Sequence, residues 1–571
     1  MDDIDKLPVI ISKHLFYAGG TTTPVEKEPQ LGSLPVEDDC ACPGPAVGKS
    51  QFLSRRDKMM LAGWGVEDDC APITSPVGKR DTIPLSHRAR GENVAVEHDC
   101  APMTSPVVEG SIDLSSLGNY DPATTYGIAP ALFVDRLDQD FYFAFNPSSQ
   151  EGVVAFNQVT FDLVNGFQQP RTLADGLSRV GLSPDRLDAA KNLVYLGILK
   201  AVGQQSKPKQ GQSDTLTAWL HVTNACNLDC PYCYIRKTRE AMSADIGQQA
   251  VEAVFRSAIA HGFQRVKLKY AGGEATLNFH LVLRLHQYAQ RLANQYDLEL
   301  DGVVLSNGVA LSSQMIEELK RHQIRLMISL DGVGEQHDIQ RPFVNGRGSF
   351  AQVERTLDRL AAHDFIPSIS ITVSNRNLSG LPEVVDYVLE RELPFTINFY
   401  RENECSASFA DLSYQEDQII SAMKAAFTVI EANLPPYSLL GTLVDRARLD
   451  VPHDRPCGVG GSYMVINHRG GVGKCHMEME RTITDVSTTD PLQLIRADQM
   501  GLQNPSVEEK EGCRDCTWRY WCAGGCPALT YRVTGRFDVK SPNCRIYKAL
   551  FPEVLRLEAL RLLKYSGAIP A

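Results

Sequence analysis

Cys226, Cys230 and Cys233 stand in the run Thr223-Asn-Ala-Cys-Asn-Leu-Asp-Cys-Pro-Tyr-Cys-Tyr234, a C-x3-C-x2-C spacing. Three thiolates on one tight loop can hold three irons of a 4Fe–4S cluster and leave the fourth iron open to a ligand that is not protein. A zinc knuckle is the competing reading. Zinc usually takes four ligands in pairs, whereas this run offers three cysteines with His221 as the nearby histidine. A second set follows downstream: Cys457, then Cys475 in Gly470-x4-Cys475, then Cys513-x2-Cys516-x5-Cys522-x3-Cys526, and finally Cys544. Ten of the fifteen cysteines thus fall into two spaced sets, and in a reducing compartment such sets point to metal ligation before disulfides.

The elements that must position these groups alternate from Leu216 to about Tyr400. Strands are predicted at Leu216–Val222, Val266–Tyr270, Leu298–Ser306, Ile324–Leu330, Pro367–Val373 and Phe395–Phe399. Helical stretches lie between them. In Ser243–His261, Ser243 can cap the start, Gly262 can stop the end, and Ile246, Ala250, Val254 and Ala258 share a face. Alternation of this kind predicts an α/β fold with a parallel sheet and crossover helices. The cysteine trio directly follows the first strand, and Gly272-Gly-Glu274 follows the second. Ser306-Asn307-Gly308 ends the third, Ser329-Leu-Asp-Gly332 ends the fourth, and His337-Asp-Ile-Gln-Arg341 and Gly346-Arg-Gly-Ser-Phe350 come next.

With these motifs in this order, residues from about 125 to 550 resemble the radical S-adenosylmethionine (SAM) enzymes. The resemblance implies a partial (β/α)6 barrel with its chemistry at the C-terminal ends of the strands. It implies a 4Fe–4S cluster on Cys226, Cys230 and Cys233, with Tyr232 as the usual aromatic residue before the last cysteine. Gly272, Gly273 and Glu274 would bind the SAM amino group, Asn307 and Ser329 would line the SAM pocket, and Arg341 would pair with the SAM carboxylate. For Ser329 and Asp331 the plain alternative is a capped turn, and for Arg341 a surface ion pair. The second cysteine set resembles the SPASM extension, which carries two auxiliary 4Fe–4S clusters. By that family's interleaved ligation, Cys513, Cys516, Cys522 and Cys544 would hold one cluster. Cys457, Cys475 and Cys526 would hold the other, with a fourth position left to the distant Cys405 or to an open iron. Zinc sites remain the alternative for this set.

Ahead of the barrel lie two regions of other character. Residues 125–203 read as two strands, Phe141–Phe145 and Gly152–Phe156, followed by helices near Gln158–Phe167, Thr172–Val180 and Pro184–Leu199. The pattern resembles the winged-helix recognition element of ribosomally made peptide pathways, as in the peptide chaperone of pyrroloquinoline quinone synthesis. Nearer the N-terminus, Val36-Glu-Asp-Asp-Cys40-Ala recurs as Val66-Glu-Asp-Asp-Cys70-Ala and Val96-Glu-His-Asp-Cys100-Ala, with one constant interval between the cysteines. These units have little apolar surface to bury against each other, so a solenoid is excluded and disorder is expected. Gly44 to Ser50 is one residue short of a P-loop. The expected organisation is a repeat-bearing, precursor-like tail at 1–118, a peptide recognition element at 119–206, a radical SAM barrel at 214–430, and a SPASM domain with a C-terminal helix at 431–571.

Net charge is −12 and the hydrophobic share 43%, which argues for a soluble globular protein without an extended nucleic-acid surface. No apolar stretch is long enough to span a bilayer, and Met1-Asp-Asp-Ile-Asp-Lys lacks a signal-peptide pattern, so a cytoplasmic location is expected. The assembled resemblance implies a maturase that takes a hydrogen atom from a peptide through a 5′-deoxyadenosyl radical and forms a crosslink, foremost a Cys thioether. Its electron donor would be a flavodoxin or ferredoxin, and its peptide partner a separate precursor or the fused tail, with Cys40, Cys70 and Cys100 as acceptor thiols. The alternatives are carbon–carbon crosslinking or epimerisation, sulfatase-maturase-like cysteine oxidation, and a non-catalytic iron–sulfur scaffold that presents peptides.

Overall fold

The computed structural model describes residues 7–13, 15–18, 21–24, 123–204, 208 and 213–566. The repeats with Cys40, Cys70 and Cys100 lie outside these residues.

Three short strands open the chain: β1 (Val9–Ser12), β2 (Leu15–Ala18) and β3 (Thr21–Pro24). After the repeats come β4 (Thr125–Ile128), β5 (Phe133–Arg136), β6 (Phe141–Phe145) and β7 (Val153–Asn157). Strands β1–β3 and β5–β7 join into one antiparallel sheet in the order β3-β2-β1-β7-β6-β5. Three helices follow, α1 (Gln158–Asn165), α2 (Leu173–Ser178) and α3 (Pro184–Tyr195), capped by Asn157, Thr172 and Ser183. Two small strands, β8 (Arg171–Thr172) and β9 (Leu199–Ala201), flank β4 in a separate sheet. Sequence periodicity found β6, β7 and the helices. It missed β4, β5, β8 and β9, because strands this short carry too few alternations to register. Within the stretch expected to be mostly disordered, β1–β3 are strands, and their reason to be so lies far along the chain in β7.

The barrel is built as its alternation requires. Its strands are β10 (Thr215–Thr223), β11 (Arg265–Gly272), β12 (Glu299–Ser306), β13 (Arg325–Ser329), β14 (Ser368–Val373) and β15 (Phe395–Phe399). They are parallel, and each pairs with its successor. The crossover helices are α4 (Ala244–Ala260), α5 (Phe279–Tyr296), α6 (Ser313–Arg321), α7 (Glu335–Gln340), α8 (Phe350–Ala362) and α9 (Leu381–Glu390). At the start of α4 the Ser243 side chain accepts the Ile246 N–H, and the helix buries Ala250, Val254 and Ala258. Gly262 ends the turn at φ +69°, a conformation that only glycine adopts freely.

Beyond α10 (Glu416–Ala432) the chain returns to the same sheet. β16 (Tyr463–Ile466) runs parallel to β10, and β17 (Gly471–Gly473) and β18 (Thr484–Asp485) extend it antiparallel. The C-terminal region therefore continues the barrel sheet where the sequence suggested a boundary near residue 431. The helices α11 (Pro491–Ala497), α12 (Arg519–Cys522), α13 (Pro527–Thr534) and the long α14 (Cys544–Ser566) complete it. Trp521 is fully buried and donates its indole N–H to the Pro147 carbonyl at 3.0 Å, while Trp518 stacks on Phe145. These contacts tie the N-terminal sheet to the C-terminal region. Among the described residues no helix is long and apolar enough to cross a membrane.

Two buried histidines give this core a pH signature. Burial pushes His286 on α5 and His337 on α7 down to about 4 from an ordinary 6.5. A proton therefore binds the unfolded chain first as pH falls. Stability from these groups is fully present above about pH 6.5 and is lost as pH drops toward 4. We predict a loss on the order of 3 kcal/mol per histidine across that window. Urea denaturation from pH 7 to 4.5 should show a His286→Gln variant with a flatter profile than the native chain.

Candidate active site

The cysteine loop grows from the end of β10 and is pinned from both sides. The Gly273 N–H donates to the Thr223 carbonyl at 2.7 Å, and the Glu274 N–H to the Ala225 carbonyl at 2.8 Å. A Cβ on Gly272 would stand 2.4 Å from Thr223 O, and one on Gly273 would stand 2.4 Å from Ala225 O. Both positions must be glycine for the end of β11 to lie against the peptides that lead into Cys226. Across the loop, the Asp229 N–H donates to Pro342 O at 2.7 Å, and the Val344 N–H to Asn227 O at 3.3 Å. In the structure the close approach that these glycines permit is to the cysteine loop.

The three thiols sit together. Burial pushes Cys226 up to about 11 and Cys230 up to about 12, and Cys233 is raised by the same cause. Cys226 is raised further by the charges of Glu274 and Cys233, and Cys230 by those of Cys233 and Cys226. Such thiols stay protonated near neutral pH unless a cation replaces the protons, which is how metal binding couples to thiolate formation. The Asn307 amide lies 3.8 Å from Cys226 Sγ and 2.7 Å from Asn227 Oδ1. His221, the one histidine nearby in sequence, has its Nε2 2.6 Å from Asn224 Oδ1.

Glu274 is buried beside the trio. Its Oε1 accepts from Thr276 N, Thr276 Oγ1 and Ser306 Oγ at 3.1, 2.6 and 2.9 Å, and its Oε2 accepts from Asn307 N at 2.7 Å. Burial raises its carboxyl, and these donors work against that rise. An ionised carboxylate has about four lone-pair sites. Oε1 is saturated, while Oε2 keeps capacity for a cationic donor such as an amino group.

Asp331, just past the half-buried Ser329 at the end of β13, takes a central place that its motif did not suggest. Its Oδ2 accepts from Tyr232 OH at 2.5 Å and from Arg341 Nε at 2.6 Å, and its Oδ1 accepts from Thr372 N at 2.8 Å. The Arg341 guanidinium also lies 5.5 Å from the Tyr232 ring centroid. Arg341 is thus in a buried ion pair, which overturns the surface-pair alternative. Cys405 stands apart from the second cysteine set: its Sγ lies 3.6 Å from the Tyr234 carbonyl, and its charge acts on Cys233. It is not among the residues that line the cavity of Cys457, Cys475 and Cys526.

The downstream cysteines divide into two groups. Cys457, Cys475 and Cys526 line one cavity with Arg401, Arg446 and His476. Burial pushes Cys522 up to about 12, and the charges of Cys513, Cys516 and Cys544 push in the same direction, which gathers those four thiols. Buried Lys510 feels thiols of both groups and donates to the Ala523 carbonyl at 2.8 Å. Burial works against the Arg401 charge, and Asp445, 2.5 Å away, and Cys526 overcome it. Among the described residues no three His, Cys, Asp or Glu side chains converge on a single-ion site.

Residues 220–388 match the family model of the radical SAM superfamily. The chain carries a radical SAM domain. It is therefore an S-adenosylmethionine-dependent enzyme of oxidoreductase type, and such a domain works with SAM and a 4Fe–4S cluster. An uncharacterised protein of Archaeoglobus fulgidus is 25% identical over 348 residues, 59% of this chain and 80% of that protein. The antilisterial bacteriocin subtilosin biosynthesis protein AlbA of Bacillus subtilis is 26% identical over 180 residues, 30% of this chain but only 36% of AlbA. Among solved structures, anSMEcpe with bound AdoMet aligns at TM-score 0.51 and 16% identity, over 62% of this chain and 96% of the other, a likeness of fold.

The Asp331–Arg341 pair yields a prediction. Removing one partner of a buried ion pair strands the other charge at a cost of about 3–5 kcal/mol. Arg341→Met should lose that much in anaerobic urea denaturation. Adding Asp331→Asn, which removes the stranded charge, should recover more than half of it.

Proposed function

We propose that the chain is a radical maturase of ribosomally made peptides that joins a cysteine sulfur to a carbon of the same peptide, acting on the cysteines of its own N-terminal repeats. The observation that carries the reading is the bonded unit of cysteine loop and Glu274 at the C-terminal end of the barrel. Cys226, Cys230 and Cys233 would hold three irons. Glu274 Oε2 would accept from the SAM amino group, with Gly272 and Gly273 setting its position. Asn307, Ser329 and Tyr232 would line the SAM pocket. Arg341, held through Nε by Asp331, would offer its Nη groups to the SAM carboxylate. When bound, SAM and the cluster supply a 5′-deoxyadenosyl radical that takes a hydrogen atom from an unactivated C–H bond.

The downstream groups support a SPASM-type arrangement: Cys513, Cys516, Cys522 and Cys544 around one auxiliary cluster, Cys457, Cys475 and Cys526 around another. The sheet and helices at 123–201 fit a peptide recognition element, and AlbA, itself named for bacteriocin biosynthesis, supports a peptide substrate. A flavodoxin or ferredoxin would supply electrons. Thioether formation balances as one S–H and one C–H lost for one S–C bond gained. One hydrogen atom leaves as 5′-deoxyadenosine. The other would leave as a proton, and an oxidised auxiliary cluster held by Cys457, Cys475 and Cys526 would supply the acceptor for the remaining electron.

Anaerobically reconstituted protein given SAM and dithionite should release 5′-deoxyadenosine. Its tail peptides should lose two hydrogens per repeat, with Cys40, Cys70 and Cys100 protected from alkylation. Release of 5′-deoxyadenosine with unchanged tail peptides would refute the fused-substrate reading.

The Arg401–Asp445 pair beside Cys457, Cys475 and Cys526 leads to a second expectation. A buried cation favours the more negative, reduced form of a neighbouring cluster. Arg401→Gln should shift the midpoint potential of one cluster downward in an EPR-monitored redox titration while iron per chain stays constant.

A further inference from the structure

The N-terminal sheet is two meanders that meet at a single seam. β5, β6 and β7 are sequence neighbours, as are β1, β2 and β3. Only β1 against β7 joins chain segments that lie far apart. The pairing is antiparallel, with Ile10 opposite Phe156, Ile11 opposite Ala155 and Ser12 opposite Val154. Without β1, the β7 backbone would be an open edge, the kind of edge to which an extended peptide adds as a strand.

The seam is read by side chains as well as by the ladder. Asn157 Oδ1 accepts the Val9 N–H at 3.1 Å, and its Nδ2 donates to the Leu7 carbonyl at 2.8 Å. Thr160 Oγ1 donates to the Val9 carbonyl at 3.1 Å. Tyr17 OH donates to the Asp185 carbonyl at 2.5 Å, at the first turn of α3. Side chains alternate between two cores. Ile10, Leu15 and Tyr17 pack with Phe156, Leu163 and Ala190 among the recognition helices. Val9 and Ile11 pack into the main core with Phe143, Phe145 and Ala155. All five are at most 4% exposed. Backbone pairing plus pockets for alternate side chains is how an added strand obtains affinity and specificity.

We propose that residues 7–18 are an intramolecular docking peptide, seated in cis on β7, α1 and α3, and that they deliver the repeats that follow them to the barrel. The proposal rests on the reading of those repeats as the substrate. It adds the recognition segment, its receptor edge and the consequence that a free precursor finds the edge already filled. The stretch from Pro24 to Cys40, fully extended, reaches up to roughly 55 Å. That exceeds the roughly 30 Å width of a small domain. A tether of this length holds the docking peptide at an effective concentration on the order of millimolar.

The test is strand exchange on the full chain. A specific protease site is placed between Glu28 and Leu31, and a fluorescein-labelled peptide of residues 5–20 is added before and after cleavage, without SAM or reductant. The cut chain should take up the labelled peptide, read by anisotropy. The intact chain should bind it at least about 100-fold more weakly. A labelled peptide carrying Ile10→Asp should not bind either form. In the intact chain, Asn157→Ala should speed hydrogen exchange at residues 7–18 without changing exchange in β10–β15. Equal binding to cut and intact chains, or no uptake by the cut chain, overturns the proposal. Normal strand exchange with unmodified repeats would instead leave the docking site standing and remove the repeats as substrate.

Discussion

The active centre depends on a backbone contact that no side chain could enter. β11 ends in two glycines whose peptides lie against Thr223, Asn224 and Ala225, and a single methyl at either would meet a carbonyl oxygen at 2.4 Å. Through that contact the Gly273 and Glu274 amides fix the approach to Cys226. The same turn sends Glu274 inward to Ser306 and Asn307 at the end of β12. Three strand ends are thereby locked into one unit before any cofactor is considered, so the positions of the thiols and of the carboxylate follow from one another.

Several buried charges are handled by pairing. Asp331 gathers Tyr232, Arg341 and the Thr372 amide. Arg401 is met by Asp445, and Lys267 inside the barrel lies 3.2 Å from Asp301. The downstream cysteines draw cations in the same way: Lys510 and Lys548 act on Cys513, and Arg401 and Arg446 line the cavity of Cys457.

Much of this was legible in the sequence where spacing repeats over long stretches. The six barrel strands, the capped helix after Ser243 and the two cysteine sets all have local periodicity or fixed spacing. The role of Asp331 was not, because one aspartate after a strand has no spacing partner. Its importance comes from Tyr232 and Arg341, which the fold brings to it from two different loops. β1 was hidden for a related reason: a stretch as short as Val9–Ser12 is held as a strand between β2 and the distant β7. The surroundings of Cys405 were equally illegible, because spacing along the chain cannot rank distances in space, and the loop from Asn403 to Ser406 is anchored on Tyr232 and Tyr234.

The parallel pairing of β16 with β10 makes the barrel and the C-terminal region share one sheet. A chain cut between them would bare one edge of β10, the strand that launches the cysteine loop. The C-terminal region thus takes its alignment from the host strand, since Thr217 to Leu220 of β10 lie opposite Tyr463 to Ile466 of β16.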